Sequence, residues 1–97
     1  MSPVRFYRRR FLNERGFHTF ASVIASIVRT KDRHDGKPRL EVQLELMDCS
    51  NIVRFEFGMA RHERRNSVKK AWALVDVLQG FASKLEEEVE WLEEVRP

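Results

Sequence analysis

Residues 67–95, SVKKAWALVDVLQGFASKLEEEVEWLEEV, decide the fold that the sequence predicts. Two positions of a seven-residue repeat numbered from Val68 are apolar in all four repeats, which predicts one long amphipathic helix. Ser67 is a suitable N-cap, because its hydroxyl can accept a hydrogen bond from a free N–H of the first turn. The heptad seam consists of Val68, Ala71, Val75, Leu78, Ala82, Leu85, Val89 and Leu92.

The apolar face of the predicted helix is wide in its first half and narrow in its second. Apolar side chains outside the seam widen the face up to Leu85, which is typical of a helix that lies on a sheet. Beyond Leu85 the chain carries six glutamates, so that only a narrow apolar strip continues. This strip favours a single partner helix. The residues of the predicted partner-binding surface are Leu85, Val89, Trp91 and Leu92.

The charges of this helix oppose its dipole. Lys69 and Lys70 lie in the first predicted turn, where anions are favourable, and Glu93 and Glu94 lie in the last turn, where cations are. Each such charge costs about 0.3–1 kcal/mol. An antiparallel helix pair between two copies would set the basic start of one helix beside the acidic end of the other. Alternatively, the glutamates only solvate the helix end.

Gly80 is unusual in the middle of a helix, where glycine costs about 1 kcal/mol relative to alanine. We favour the interpretation that the helix packs closely on a sheet at this point. The alternative is a kink that separates a sheet-packed half from a free half.

Residues 38–48 form the clearest predicted strand. Their apolar and polar side chains alternate strictly, which predicts one buried and one solvated face in an antiparallel sheet. After a turn at residues 48–51, residues 52–59 return as another strand, and Arg54 should face Glu45 or Glu41. The inward side chains are Leu40, Val42, Leu44 and Leu46 in the first strand and Val53, Phe55, Phe57 and Met59 in the second.

Residues 17–30 fit both a helical stripe and a strand alternation. We predict a strand, because β-branched residues are frequent and because the segment leads into a turn at residues 32–37 with Asp35-Gly36 at its centre. On one face of this strand, the small side chains of Ala21 and Ala25 would let a helix approach closely.

Residues 1–16 form a basic segment in which arginines are interleaved with apolar side chains. Neither periodicity fits well: Val4, Tyr7 and Phe11 share a helical face, whereas Val4 and Phe6 share a strand face. We interpret the segment as an arm that is partly docked through its aromatic rings. Arginines between aromatic rings also suit nucleic acid, because phosphates attract cations and bases stack on rings. A solvated edge element is the alternative.

These segments predict an α+β fold in a single domain over residues 1–97. A basic N-terminal arm (1–16) precedes an antiparallel three-stranded β-meander (17–59), which is packed by one long C-terminal α-helix (67–95). One helix on three strands leaves a sheet face and a helix end open, and both invite a second chain.

Composition narrows the class of protein. An apolar share of 42% is enough for one core, and the single cysteine, Cys49, excludes an intrachain disulfide. The longest apolar run is too short for a transmembrane helix, so we expect no membrane partner and a cytoplasmic location. Residues 1–70 carry a net charge of +8 and residues 71–97 carry −5, which favours pairing with a polyanion or with a second copy.

The sequence contains no pattern that is typical of an enzyme, a metal site or a cofactor site. His18, His34 and His62 are too far apart in sequence to form a helical metal pair. His34 lies in a polar turn, and Cys49 has no neighbouring base that would activate its thiol. We therefore expect a non-catalytic protein without metal or cofactor.

Two functions from different classes fit these patterns. The first is a small protein-interaction module of the dimeric adaptor or inhibitor type, a homodimer through antiparallel helices that uses the long helix and the open sheet face. The alternative is a nucleic-acid-binding protein that uses the arginine arm and the basic helix start. Its predicted contacts are Arg5, Arg8, Arg9, Arg10, Arg15, Arg61, Arg64, Arg65, Lys69 and Lys70.

Overall fold

The computed structural model describes residues 3–16 and 20–96. The strands form one antiparallel sheet in the order β1-β2-β3-β4, and a long helix follows them. The α+β class and the antiparallel meander are confirmed, but the sheet has four strands where three were predicted. The elements are β1 (Val4–Phe11), β2 (Ala21–Lys31), β3 (Pro38–Asp48), β4 (Asn51–Phe55) and α1 (Arg64–Val95).

The fourth strand is the segment that was predicted to be an arm. β1 pairs with β2, and the pairing is extended at both ends by hydrogen bonds from the N–H of Arg29 to the carbonyl of Pro3 and from the N–H of Leu12 to that of Ala21. The register shifts between Val4 and Phe6, so these side chains lie on opposite faces. This bulge explains why the segment fits neither periodicity. It also explains why the prediction that Val4 and Phe6 share a strand face was wrong.

The strand predicted for residues 17–30 is present as β2 where the structure describes it, and residues 17–19 lie outside the described part. The β2–β3 turn forms where it was predicted. The Asp32 carboxylate accepts hydrogen bonds from the N–H groups of His34 and Asp35 at 2.7 and 3.3 Å, and Gly36 adopts a φ of 69°. These carboxylate bonds are those of a polar turn.

The β3–β4 turn is tight, since Asp48 pairs with Asn51 and only two residues lie between them. Cys49 takes a φ of 55°, which the hairpin requires at this position although it is unfavourable for a residue with a side chain. The predicted contact between Arg54 and Glu45 is confirmed: Arg54 Nε donates to Glu45 Oε2 at 2.8 Å. This hydrogen bond, together with the Glu45 charge, raises the pKa of Arg54 above its usual value.

The register separates an apolar face of the sheet from a mixed face. On the apolar face, Ala25 lies between Arg8 and Leu44, and Leu44 pairs in turn with Phe55. The neighbouring row continues this face with Phe6, Ile27 and Val42. The mixed face carries Arg9, Ile24, Glu45 and Arg54 in one row. β1 widens the sheet and therefore covers neither face.

The helix differs from its predicted course. It begins at Arg64, three residues before Ser67, and the residue in the N-cap position is Glu63, whose side chain makes no cap hydrogen bond. The prediction that the helix lies across the sheet was wrong: Trp72 and Phe81 are 68% and 62% exposed. At about 1.5 Å per residue the helix is about 48 Å long, so it extends well past the sheet.

The described part of the single chain has almost no core. Among the described residues, Ala21 is the one apolar side chain that is buried, and no large side chain is fully buried. The radius of gyration is 18.0 Å, against about 12–13 Å for a compact domain of this length. Within the part of the chain described, no helix is long and apolar enough to span a membrane.

Candidate interaction surfaces

Three side chains of the first helical turns anchor α1 to the segment that follows β4. Arg64 Nε donates to the Met59 carbonyl at 2.9 Å, Ser67 Oγ to Gly58 at 2.7 Å and Lys70 Nζ to Glu56 at 2.6 Å. The donors lie three residues apart, on one face of the helix. As the donor's residue number rises along the helix, the acceptor's number falls. These three hydrogen bonds, the anchor ladder, therefore fix the direction in which the helix leaves the sheet.

The same ladder corrects two predictions. Ser67 is not a cap but a buried anchor inside the helix, with 5% of its surface exposed. β4 ends at Phe55 and does not reach Met59, and the carbonyls of residues 56, 58 and 59 accept hydrogen bonds from helix side chains. Lys70 also lies over the Phe57 ring at 5.2 Å.

An apolar cavity of about 380 Å³ lies between the start of α1 and the apolar face of the sheet. The helix contributes Val68 and Ala71, the first two positions of the heptad seam, and the sheet contributes apolar side chains from β1, β2 and β3. The cavity is open to solvent. Its apolar lining comprises Phe6, Ala25, Ile27, Leu40, Val42, Leu44, Phe57, Met59, Val68 and Ala71.

Arginines lie beside this cavity. Arg64 lines it, and Arg64 also lines an adjoining cavity of about 330 Å³ together with Arg29 and Arg39. Sequence reasoning missed Arg29 and Arg39 as site residues. The hairpin could have revealed Arg29, since closing the turn at residues 32–37 places Arg29 opposite Leu40 on the apolar face.

The predicted partner-binding residues are all exposed along the free part of α1. The exposed fractions are 50% for Leu85, 42% for Val89, 57% for Trp91 and 45% for Leu92. Leu85, Val89 and Leu92 continue the seam that begins with Val68 at the cavity, whereas Trp91 lies outside the heptad rows. The structure therefore leaves one apolar strip running from the cavity to the helix end.

The charges of α1 oppose its dipole at both ends. The first turn contains no acidic residue and the last turn no basic one. Lys84 Nζ lies 3.5 Å from Glu87 Oε1 and 3.3 Å from Glu88 Oε1. Among the described residues, the glutamates nearer the helix end form no ion pair.

The arginines of β1 form a second exposed surface. Arg8 and Arg10 project from the apolar face of the sheet and Arg9 from the mixed face. The guanidinium of Arg8 lies 5.8 Å from the centre of the Phe6 ring, and that of Arg9 lies 5.5 Å from the centre of Phe11. None of these arginines forms an ion pair within residues 3–16 and 20–96.

The remaining predicted nucleic-acid contacts are dispersed. Arg15 lies in the turn after β1 and Arg61 in the turn before α1, and both are exposed, as are Arg65 and Lys69. Arg5 lies at the bulge of β1. Phe6 of β1 and Arg64 of α1 line the same apolar cavity. Arg64 and Lys70, however, are already engaged by backbone carbonyls.

A larger, more polar cavity of about 690 Å³ lies against the segment that follows β4, with His62, Glu63 and Lys70 in its lining. Across the described ranges, no group of three His, Cys, Asp or Glu side chains could hold a metal ion. His18 lies outside these ranges. No family model matches the chain, and neither a curated protein nor a solved structure is significantly similar to it.

Proposed function

We propose that this chain is a small non-catalytic interaction module of the dimeric adaptor or inhibitor type, which acts as a homodimer paired through antiparallel copies of α1. The observation that carries the proposal is the near absence of a core among the residues that the structure describes in the single chain. Its accessible surface is 9152 Å², whereas a compact monomer of this mass exposes about 5,800 Å².

The difference of about 3,300 Å² exceeds the roughly 800 Å² per partner that a standard interface buries. Much of it is apolar, since the seam and the wide first half of α1 are open to water. A large exposed apolar patch on a protein surface marks an interaction site. A second copy is the simplest partner that supplies a matching apolar strip.

Charge supports the antiparallel arrangement. In a parallel pair, the glutamates at the two helix ends would lie side by side and repel each other. In an antiparallel pair, they lie beside Lys69 and Lys70 of the other helix. The same arrangement places each acidic end near an N-terminal helix dipole, where anions are favourable.

Sedimentation equilibrium at micromolar concentration tests the proposal. We expect the mass of two chains, and we expect Leu85→Asp to shift the protein towards the mass of one chain, because a buried charge would replace a seam side chain. Ser83→Asp is the matched control, since it adds the same charge to the same turn outside the seam. A wild-type mass of one chain would contradict the proposal.

The exposed thiol of Cys49 fits a reducing compartment, so a cytoplasmic location is part of this proposal.

A second candidate function is nucleic-acid binding, which the unpaired arginines and exposed rings of β1 favour. Phosphate contacts by arginines would make the affinity fall steeply with salt. The acidic half of α1 works against this function, because it repels a polyanion.

Fluorescence anisotropy with labelled single- and double-stranded DNA and RNA, at about 50 and 200 mM salt, tests this second function. Micromolar binding that weakens sharply with salt and is lost in Arg8→Glu with Arg9→Glu would support it. The control is Arg33→Glu with Lys37→Glu, which makes the same charge change at the β2–β3 turn. Absence of binding at the lower salt would exclude the β1 surface as a nucleic-acid-binding site.

A further inference from the structure

We propose that the helix end of a second copy completes the core of each chain, with its Val89 and Leu92 seated at the apolar cavity between α1 and the sheet. This inference rests on the homodimer proposed above and specifies which part of the second copy covers which surface.

The cavity resembles part of a hydrophobic core that lacks the side chains to fill it. It is lined by apolar side chains from the sheet and the helix, yet it opens to solvent. Water in such a space finds few polar partners, so filling it with apolar side chains is favourable. A segment that fills it must be apolar on the side facing the cavity.

The heptad seam determines which residues reach this place. A two-fold symmetric pair that overlaps the whole seam sets Val68 of one copy beside Leu92 of the other and Ala71 beside Val89. Every such contact joins the two rows of the heptad, as in antiparallel coiled coils. Because Val68 and Ala71 line the cavity, Leu92 and Val89 of the second copy arrive at its mouth.

The charges around the two surfaces are complementary. Arg64 lines the cavity, and Arg29 lines the adjoining one. On the helix end, Glu88 and Glu93 occupy the two heptad positions that flank Val89 and Leu92. Docking thus brings opposite charges together around an apolar centre, and it neutralises the charges that oppose the helix dipole in the single chain.

Disulfide cross-linking tests this register. In a Cys49→Ser background, Val68→Cys and Leu92→Cys are combined in one chain and oxidised mildly. Within a helix the two positions are 24 residues and about 36 Å apart, far beyond the roughly 7 Å limit for a disulfide. An intrachain bond is therefore excluded, and we expect a covalent dimer on a non-reducing gel.

Each single-cysteine variant is a control. Leu92→Cys alone links in a parallel pair but not in the proposed one, so a covalent dimer of this variant in equal yield would overturn the inference. The reduced double variant must keep the helical circular dichroism and the sedimentation mass of the wild type. If it does not, Ala71→Cys with Val89→Cys is the second pair to test the same register.

The outcomes separate this inference from the proposed function. A mass of two chains with a cross-link in the double variant supports both. A mass of two chains without a cross-link in either cysteine pair overturns the register and leaves the homodimer standing. A mass of one chain overturns both.

Discussion

Ser67 illustrates how one hydroxyl sets the course of a helix. Its Oγ donates to the Gly58 carbonyl from the fourth residue of α1, at a position that is almost fully buried. A serine in front of an apolar repeat predicts a cap, because capping is the commonest use of serine at a helix start. The chain instead turns earlier, where the N–H of Glu63 donates to the carbonyl of Ala60.

We expect Ser67→Ala to lower the free energy of unfolding by about 1 kcal/mol, because a buried hydrogen bond to Gly58 is lost. Urea denaturation at fixed protein concentration measures the change. Ser83→Ala, on the exposed part of the same helix, is the control, and its better helix propensity should leave stability unchanged or raised by a few tenths of a kcal/mol. Equal effects of the two substitutions would show that the Ser67 bond does not anchor the helix.

At the scale of the elements, α1 is a continuous helix whose outer face is free. A Cβ atom added to Gly80 would meet no heavy atom within 4 Å, so the interpretation that Gly80 packs closely on the sheet was wrong. Gly80 occupies the heptad position farthest from the seam, as Ala73 does one repeat earlier. Neither position faces the second copy in the proposed pair.

Gly80→Ala should therefore raise the free energy of unfolding by about 1 kcal/mol, since alanine is the better helix former and no contact opposes its methyl group. Ala73→Gly is the converse change on the same face and should lower stability by a similar amount. Chemical denaturation of both variants at one protein concentration gives the comparison. A loss of stability in Gly80→Ala would reveal a surface packed against the outer face of α1.

The elements also show which parts of the fold the sequence can predict. β3 and the Arg54–Glu45 contact were predictable, because strict alternation fixes the faces and a tight turn fixes the register. β1 was not predictable, because its bulge at Arg5 interrupts the alternation of side chains between the two faces of the sheet. The anchor ladder of α1 was not predictable, since its acceptors are backbone carbonyls, which every residue carries. Of the candidate surfaces, the seam residues were predictable from their spacing, but the cavity required the register of three strands.

At the scale of the whole molecule, an exposed seam and an open sheet face couple folding to association. A chain with a single buried apolar residue among those described gains little free energy by folding alone. If the second copy supplies the missing core, the folded monomer is a minor species and the stability depends on protein concentration.

We therefore expect the thermal midpoint to rise with concentration. A tenfold increase favours a dimer by about 1.4 kcal/mol, which corresponds to a shift of about 3–6 °C for an assembly of this size. The range from about 5 to 500 μM spans two tenfold increases in concentration. Calorimetry or circular dichroism of the wild type should show the midpoint rise by this shift at each increase. In Leu85→Asp the midpoint should be lower, because the seam that joins the copies is broken. A wild-type midpoint independent of concentration would mean that the chain folds without a second copy, and the apolar seam would then need a different partner.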